Sequence, residues 1–332
     1  MVKIAIAGGS GDVGQEILDT LLATKKHEIL LLSRKNASVE EMAPAVTWVQ
    51  TNYKDPQKLA EILQGVHTVL SFIVVHSDTG NMAQKHLIDA AVQAGVKRFA
   101  PSEWASSSFE HMSWYAGKTE IRKYLKRLNK DKKALEYSLF QPGLFMNYFT
   151  NPYKTAKHVT PIETPIDFNN RRALVVEGGD NDRITLTTVR DLANVVARAI
   201  DYDGEWPVVG GIKGAELTVG QLISLGERIR GGQFAVERLK ADDLASGELK
   251  SSWRPKAGPP AFPREQFDAI SAMLMSDYKF TKAEDFLAEA WSDAAEPPAS
   301  AKNFQKKVGD RLGRVEAMIE QLTTNAKHGS DL

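Results

Sequence analysis

Short apolar runs alternate with segments of helical periodicity over the first 150 residues. The run VKIAIA has the length of a buried parallel strand, and the following QEILDTLLATKK carries apolar residues three and four positions apart. The same pattern predicts further strands in EILLLSRK, VTWVQTNY, TVLSFIVV, KRFAPSEW and EYSLFQPG, with helices in KLAEILQG, MAQKHLIDAAVQAG and TEIRKYLKRLNK. This alternation predicts an α/β fold, a doubly wound parallel sheet of the Rossmann type with helices on both faces.

The pattern changes after Gly143. Residues 151–171 carry three prolines and little periodicity, which is typical of a long loop over a pocket or of a domain excursion. Further on, RRALVVEGG is predicted to be a strand, and TLTTVRDLANVVARAID and LTVGQLISLGERIRG to be helices, the latter with Thr218 as N-cap. We expect a Rossmann-type domain of residues 1–150 plus about 184–212, and a smaller, mostly C-terminal α+β domain of about 151–183 and 213–332.

The C-terminal segment has a pattern of its own. RPKAGPPAFP at 254–263 is predicted to be a proline-rich loop, and AEPPAS at 295–300 a linker. Apolar residues at helical spacing then predict an amphipathic helix that packs on its own chain or on a partner chain, which would allow a homodimer: Val308, Leu312, Val315, Ile319 and Leu322.

Composition narrows the classes of function. The 332 residues contain 42 Lys plus Arg and 42 Asp plus Glu, so the chain has no general attraction to nucleic acid or anionic membrane. The lack of cysteine excludes disulfides, thiolate catalysis and cysteine-ligated metal, and the seven histidines show no close ligand spacing, so no metal site is predicted. No apolar run reaches the roughly 18 residues of a membrane span, and the N-terminus lacks the features of a signal peptide. A cytoplasmic protein is predicted.

A glycine-rich turn joins the first predicted strand to the first predicted helix. Gly8, Gly11 and Gly14 give the spacing G-x-x-G-x-x-G, and glycine allows both the turn and the close approach of a pyrophosphate. The helix N-terminus at Asp12 and Val13 would direct free N–H groups at the anion, and the Ser10 hydroxyl would add a donor. A glycine turn without a ligand is the alternative, but the strand before and the helix after favour a dinucleotide.

A basic turn after the second predicted strand indicates which dinucleotide binds. An NAD site places an acidic residue about 20 positions after the glycines, to bind the ribose 2′-hydroxyl. Here that position is Arg34, flanked by Ser33 and Lys35. These side chains suit a 2′-phosphate, with the guanidinium also able to stack on adenine, although a solvated basic turn would look the same. We therefore predict NADP(H) as the cofactor.

One lysine of the helix before the sixth strand lies at its apolar edge. If the helix runs from Trp114 to Lys130, then Trp114 and Leu125 share an apolar arc. In the helical projection, Lys118 lies about 20° from Leu125. Such a lysine can extend its ammonium to water or pair with a buried carboxylate. It can also lie in the ligand crevice at the strand ends, where an ammonium binds ribose hydroxyls, polarises a carbonyl or transfers a proton.

Several of these segments together resemble one family: AIAGGSGDVG, LLSRK, RFAPSEW, WYAGKTEIRKYL and FQPGLFMNYF. They resemble the NmrA-like and isoflavone-reductase-like group of atypical short-chain dehydrogenases, in the manner of its fungal members, over roughly residues 1–290. The resemblance implies NADPH as hydride donor. It also implies a single catalytic lysine, Lys118, in place of the Tyr-x-x-x-Lys pair of typical short-chain dehydrogenases, since Tyr115 is only three residues before it.

The resemblance further implies which residues surround the ligands. The segments expected to flank the nicotinamide are Phe72 to Val74 and Gln141 to Phe145, with Phe72, Ile73, Gln141, Gly143 and Phe145 as the cofactor residues. Those expected at the substrate are Ser102 and Glu103 on the crevice floor, together with Trp104, Tyr115, Phe149, Tyr153 and His158.

Two functions follow. The first is an NADPH-dependent reductase of secondary metabolism that transfers hydride to a C=O, an activated C=C or a C=N of a small, aromatic or polycyclic metabolite, bound with the help of the smaller domain. The apolar residues around Phe145 suggest such a ligand, although they would serve equally as core. The alternative is an NADP(H)-sensing regulator of the NmrA type that does no chemistry and binds a protein partner. The lysine at position 118 favours the enzyme.

Overall fold

Buried apolar runs form a central sheet of parallel strands in the order β3-β2-β1-β4-β5-β6. A computed structural model describes residues 1–36, 45–109, 112–246, 249–253 and 279–292. The sheet strands are β1 (Lys3–Ala7), β2 (Glu28–Ser33), β3 (Val46–Gln50), β4 (Thr68–Ser71), β5 (Arg98–Ala100) and β6 (Glu136–Tyr137). The helices between them are α1 (Asp12–Thr24), α2 (Pro56–Ile62), α3 (Met82–Gln93) and α4 (Ala116–Leu128).

Strand alternation divides the core into two layers, one on each face of the sheet. Ile4 and Ile6 of β1 face α1 and a later helix, α5 (Val189–Asp201), in one buried cluster. Ala5 and Ala7 face α2, α3 and α4 in the other. Helices thus cover both faces, and the predicted doubly wound α/β fold is confirmed.

The remaining strands form small sheets beside this core. β7 (Leu139–Gln141) continues past β6 and pairs in parallel with β12 (Val209–Gly211). The other strands are β8 (Leu144–Phe145), β9 (Ile166–Asp167), β10 (Arg172–Val176), β11 (Arg183–Thr187), β13 (Ala215–Thr218) and β14 (Ala235–Leu239). Of these, β11 pairs with β8 and β13, and β10 pairs with β9 and β14. The accompanying helices are α6 (Val219–Arg230), α7 (Ala241–Ala245) and α8 (Ala283–Ser292).

Three local predictions were wrong. Trp114 lies in a 3-10 turn, Ser113–Tyr115, and is 44% exposed, because α4 begins only at Ala116 and the helical projection does not apply before it. The segment from Thr185 to Thr187 belongs to strand β11, and α5 begins after its N-cap, Thr188. EYSLFQPG forms two strands with different partners, β6 against β5 and β7 against β12.

The described residues from Met1 to Trp291 form one compact unit. The predicted proline-rich loop, the linker and the C-terminal amphipathic helix lie outside the described residues, so the homodimer stays a prediction, as does the division into two domains. Within the described ranges, no helix combines the length and the apolar character that a membrane crossing needs.

The predicted N-cap of α6 gives a stability test. The Thr218 hydroxyl accepts from the Gln221 N–H at 3.1 Å, and the Gln221 side-chain oxygen accepts from the Thr218 N–H at 2.8 Å, which completes a capping box. We expect Thr218→Ala to lower the free energy of unfolding by about 1 kcal/mol, because it leaves an N–H of the first helical turn without its acceptor. Urea unfolding followed by circular dichroism checks this, and an unchanged midpoint would contradict it.

Candidate dinucleotide and catalytic site

The glycine turn after β1 forms a cradle at the N-terminus of α1. Gly8 has φ 71°, and a Cβ there would lie 2.9 Å from the carbonyl carbon of Phe72. A Cβ on Gly14 would lie 2.8 Å from the Cα of Gly9, so these two glycines are required by the fold itself. Gly11 differs, because its Cβ would meet only the Gly8 oxygen, at 3.5 Å, in ordinary van der Waals contact. The cradle therefore has space at Gly11 that the fold does not use.

The start of α1 has free donors at the same place. Its N-cap is Gly11, which provides no side-chain hydrogen bond, so the N–H groups at Asp12 and Val13 are directed at the cradle. Ser10 is held nearby because the Gln15 side chain donates to its carbonyl at 2.8 Å. This arrangement fits a pyrophosphate, whose negative charge the N-terminal end of the helix dipole attracts.

A cleft of about 290 Å³ extends from this cradle along the carboxyl ends of the strands. Of the predicted cofactor residues, it is lined by Gly8, Ser10, Gly11, Ser33, Arg34, Lys35, Phe72 and Ile73. The structure thus brings together the glycine turn, the basic turn and the segment after β4. A cleft that crosses the first strands of a doubly wound sheet is where dinucleotides bind.

Side chains of β3 hold the backbone of the basic turn. Gln50 donates to the carbonyl of Arg34 at 3.2 Å, and the Trp48 indole donates to the carbonyl of Lys35 at 3.0 Å. The Arg34 guanidinium is exposed and contacts the Ser77 hydroxyl at 3.4 Å. The guanidinium has no carboxylate partner among these contacts, so its charge is available to a phosphate at the cleft.

Sequence reasoning missed other residues that line the same cleft: Asn52, Tyr53, Ser77, Asp78 and Ala83. They lie in the loops after β3 and β4, apart from Ala83, which lies in the first turn of α3. The rule that ligands bind outside the carboxyl ends of parallel strands would have found both loops.

Lys118 lies on the first turns of α4 with its ammonium buried, and only 8% of the residue is exposed. The ammonium donates to the carbonyl oxygens of Ser102 at 2.5 Å and Glu103 at 2.7 Å, and lies 5.1 Å from the centre of the Tyr115 ring. Burial lowers the pKa of Lys118 to about 8, against the opposing effect of the Glu103 carboxylate. A lysine in this state exchanges a proton near neutral pH, as a general acid must.

The lysine and its carbonyl partners meet because of the strand ends. Ser102 and Glu103 follow β5 directly, and α4 packs across the same edge of the sheet. A Cβ on Gly117 would lie 2.6 Å from a side-chain carbon of Val75, so glycine there lets α4 approach the loop after β4 closely. Lys118 follows Gly117 on α4 and is not among the residues that line the cleft.

The segment after β7 provides an unsatisfied polar atom. Gln141 is 2% exposed, and among the described residues its side-chain oxygen has no hydrogen-bond partner. Gly143 packs so closely on β11 that a Cβ would lie 2.3 Å from the Thr185 oxygen, and Phe145 is buried beside Tyr148. A buried amide without a partner suits a polar ligand group such as the nicotinamide carboxamide.

The predicted substrate residues separate into two groups. Ser102, Glu103 and Tyr115 surround Lys118. The others make structural contacts. Trp104 stacks between Phe72 and Phe140, with ring centroids at 4.5 and 5.6 Å.

The three remaining candidates make contacts with other parts of the protein. Phe149 is buried against Phe168, and Tyr153 packs edge-on against Trp291. His158 pairs with Asp19 of α1 at 2.9 Å.

No cluster of candidate metal ligands occurs in the described part of the chain. The site is therefore built from a glycine cradle, a basic turn, a buried amide and one buried lysine. Fold and site together define a dinucleotide-dependent oxidoreductase.

The chain belongs to the NmrA-like family, whose model matches residues 2–248. Oxidoreductase BOA1 of Botryotinia fuckeliana is 29% identical over 238 residues, which cover 70% of this chain and 78% of that protein.

Solved structures with the same fold include an isoflavone reductase, with TM-score 0.61, 18% identity and coverage of 86% of this chain and 98% of the other. The leucoanthocyanidin reductase of Vitis vinifera in binary complex with NADPH has TM-score 0.61, 15% identity and coverage of 88% and 100%. The predicted family, the oxidoreductase class and the use of NADP(H) are confirmed at the level of the family.

Proposed function

We propose that this protein is an NADPH-dependent reductase that transfers hydride to a C=O, an activated C=C or a C=N of a small aromatic or polycyclic metabolite, with Lys118 as the catalytic residue. The observation that carries the proposal is the buried Lys118 ammonium at the carboxyl end of β5, with a pKa lowered to about 8. A buried ammonium is costly to desolvate, and perturbed lysines of this kind are typical of catalytic sites.

Each part of the site has a place in this function. The α1 N-terminus and the Gly8 to Gly14 turn would hold the pyrophosphate, and Arg34 and Lys35 the 2′-phosphate. The Gln141 amide would bind the carboxamide end, and Phe72 and Phe145 are the residues predicted to flank the nicotinamide. The bound cofactor supplies the hydride.

Lys118 then supplies the proton. Two of its three N–H groups are engaged by the carbonyls of Ser102 and Glu103, which leaves one for an acceptor atom of the substrate. A charged donor at that atom stabilises the negative charge that develops as hydride arrives, an effect worth a few kcal/mol.

The substrate class rests on the walls around Lys118. The Tyr115 ring lies beside the ammonium and packs against Phe109 and Trp114. Aromatic walls of this kind suit a flat conjugated ligand, and the isoflavone reductase that shares the fold acts on such a molecule by its name. The relationship favours aromatic ketones, enones and quinones among the acceptors.

The function is tested by NADPH oxidation. We would titrate the protein with NADPH and NADH, then measure dihydronicotinamide absorbance against a panel of aromatic ketones, enones, quinones and imines. Turnover that is lost on Lys118→Met establishes the reductase and names the acceptor class. Tight NADPH binding without turnover on any acceptor would favour the NADP(H)-sensing regulator, and a search for its protein partner would follow.

Arg34 gives a separate prediction about cofactor choice. Arg34→Ala should weaken NADPH about 10- to 100-fold, because it removes charge-assisted hydrogen bonds to the 2′-phosphate, and should leave NADH nearly unchanged. Fluorescence titration of both nucleotides measures this, and NADH is the internal control. Equal weakening of the two would show that Arg34 does not touch the 2′-phosphate.

A further inference from the structure

The Lys118 ammonium is buried, yet no carboxylate accepts a hydrogen bond from it directly. Its acceptors are the backbone carbonyls of Ser102 and Glu103. Carbonyl oxygens carry only partial charge, so another group must oppose the cost of desolvation if the ammonium is to stay protonated. The Glu103 side chain does so, because its carboxylate raises the pKa of Lys118 against the lowering by burial.

The Glu103 carboxylate is itself buried, with 1% of the residue exposed, and is engaged by Arg122. The Nε of Arg122 lies 3.0 and 3.1 Å from the two carboxylate oxygens, and an Nη lies 2.6 Å from one of them. Arg122 is one helical turn after Lys118 on α4. The carboxylate is therefore turned to α4, and the expectation that Glu103 touches substrate does not follow from its geometry.

Arg122 also holds the loop that provides the carbonyls. Its guanidinium donates to the carbonyls of Ser106 at 2.8 Å and Ser107 at 2.5 Å, and lies 4.1 Å from the centre of the Phe109 ring. The loop from Ser102 to Phe109 is thus fixed to the helix that carries Lys118. A planar fork of donors can make these contacts together, whereas a lysine at position 122 could not.

We propose that Glu103 and Arg122 are a positioning pair: the Glu103 carboxylate keeps the Lys118 ammonium protonated, and Arg122 holds Glu103 and its loop so that the ammonium is aimed at the substrate. The Arg122 charge by itself acts in the opposite direction on Lys118, and the Glu103 carboxylate has the larger effect. The proposal rests on the proposed function in that it gives Lys118 a proton to deliver. Glu103 contributes its carbonyl as an acceptor and its carboxylate as the compensating charge. Arg122 holds the Glu103 carbonyl and carboxylate in place beside α4.

The charged surroundings of Lys118 make the proposal testable. Among the described residues, Glu103 and Arg122 are the charged groups that act on its pKa, while Tyr115 faces it with an aromatic ring. Glu120, on the same helix, pairs instead with Lys85 and Asn81 at the surface. Glu120→Gln is therefore a matched control that removes one carboxylate from α4 without touching the pair.

The first experiment titrates Lys118 directly. The Cε and Nζ nuclei of Lys118 are followed by NMR in protein labelled with ¹³C,¹⁵N-lysine, with the signal assigned by its loss in Lys118→Met. We expect Glu103→Gln to lower the titration midpoint by about one pH unit, because it removes an attractive charge and leaves Arg122 uncompensated. Glu103→Asp should restore much of the shift, and Glu120→Gln should leave the midpoint unchanged. An unmoved midpoint in folded Glu103→Gln, or an equal shift in Glu120→Gln, overturns the proposal.

The second experiment separates charge from geometry. Arg122→Lys keeps a cation beside Glu103 but loses the contacts to the Ser106 and Ser107 carbonyls. We expect kcat to fall about tenfold, with the Lys118 midpoint close to that of the wild type, because a misplaced donor costs rate without a change in charge. Full activity in Arg122→Lys would overturn the positioning role.

The titration does not depend on turnover, so the two proposals fail separately. If Lys118→Met remains active while Glu103→Gln still lowers the midpoint, the pair is supported and the catalytic assignment of Lys118 is lost.

Discussion

Gly11→Val should abolish NADPH binding in a protein that remains folded. The structure has room for a side chain at this position, since a Cβ would meet only the Gly8 oxygen at 3.5 Å. The same space is needed by the pyrophosphate at the α1 N-terminus, so we expect Kd to rise at least about 100-fold. The cost to stability should be about 1 kcal/mol, because valine is a poorer N-cap than glycine.

Gly14→Val is the matched comparison. A Cβ at Gly14 would lie 2.8 Å from the Gly9 Cα, so this variant should lose stability and melt well below Gly11→Val. Calorimetric titration with NADPH and thermal melts of both variants check the pair. Unchanged affinity in Gly11→Val would move the dinucleotide away from this turn.

Lys118→Met should lower kcat by about 10²- to 10⁴-fold while NADPH affinity stays within a few-fold, because the change removes a proton donor from the reacting atom and leaves the cradle intact. Methionine keeps the volume and the apolar stem. Lys123→Met, an exposed lysine on the same helix, is the control and should retain full activity. Steady-state rates with the best acceptor of the panel decide the matter.

The pH dependence of the wild-type rate tests the same assignment of Lys118 as the proton donor. The ammonium is the acid, and burial has lowered the pKa of Lys118 to about 8. The rate should therefore be constant below that pH and fall as the pH rises through about 8, since the donor loses its proton. A rate that is independent of pH between 6 and 10, or an active Lys118→Met, would contradict the role of Lys118 as proton donor.

Much of the candidate dinucleotide site could be predicted from local sequence patterns. The turn of Gly8, Gly11 and Gly14 lies between a strand and a helix, and its meaning depends only on neighbours in sequence. The position of Arg34 after β2 is equally local. Lys118 could be placed at the apolar edge because α4 has a clear period.

The remainder of the site depends on tertiary contacts that carry no local signal. Trp104 and Phe149 are predicted at the substrate, and in the structure Trp104 stacks on Phe72 while Phe149 packs on Phe168. Aromatic residues near a strand end suit a pocket and a core equally well, and sequence alone cannot separate the two.

Arg122 was not predicted as a site residue, because its role depends on contacts that are distant in sequence. Its spacing of four from Lys118 was visible, but its meaning depends on a loop that reaches α4 from β5.

The pairing of β7 with β12 has a consequence for how the chain can be divided. Val209 to Gly211 return to cover the edge of β7, some 70 positions later in sequence. A fragment that ended near residue 150 would leave the backbone N–H and C=O groups of β7 unpaired, as an open edge that invites association with other chains. During synthesis the ribosome must also deliver the chain through β12 before this edge closes. The parallel-strand part of the fold is thus contiguous in space but not in sequence, and swaps between relatives should exchange both segments together.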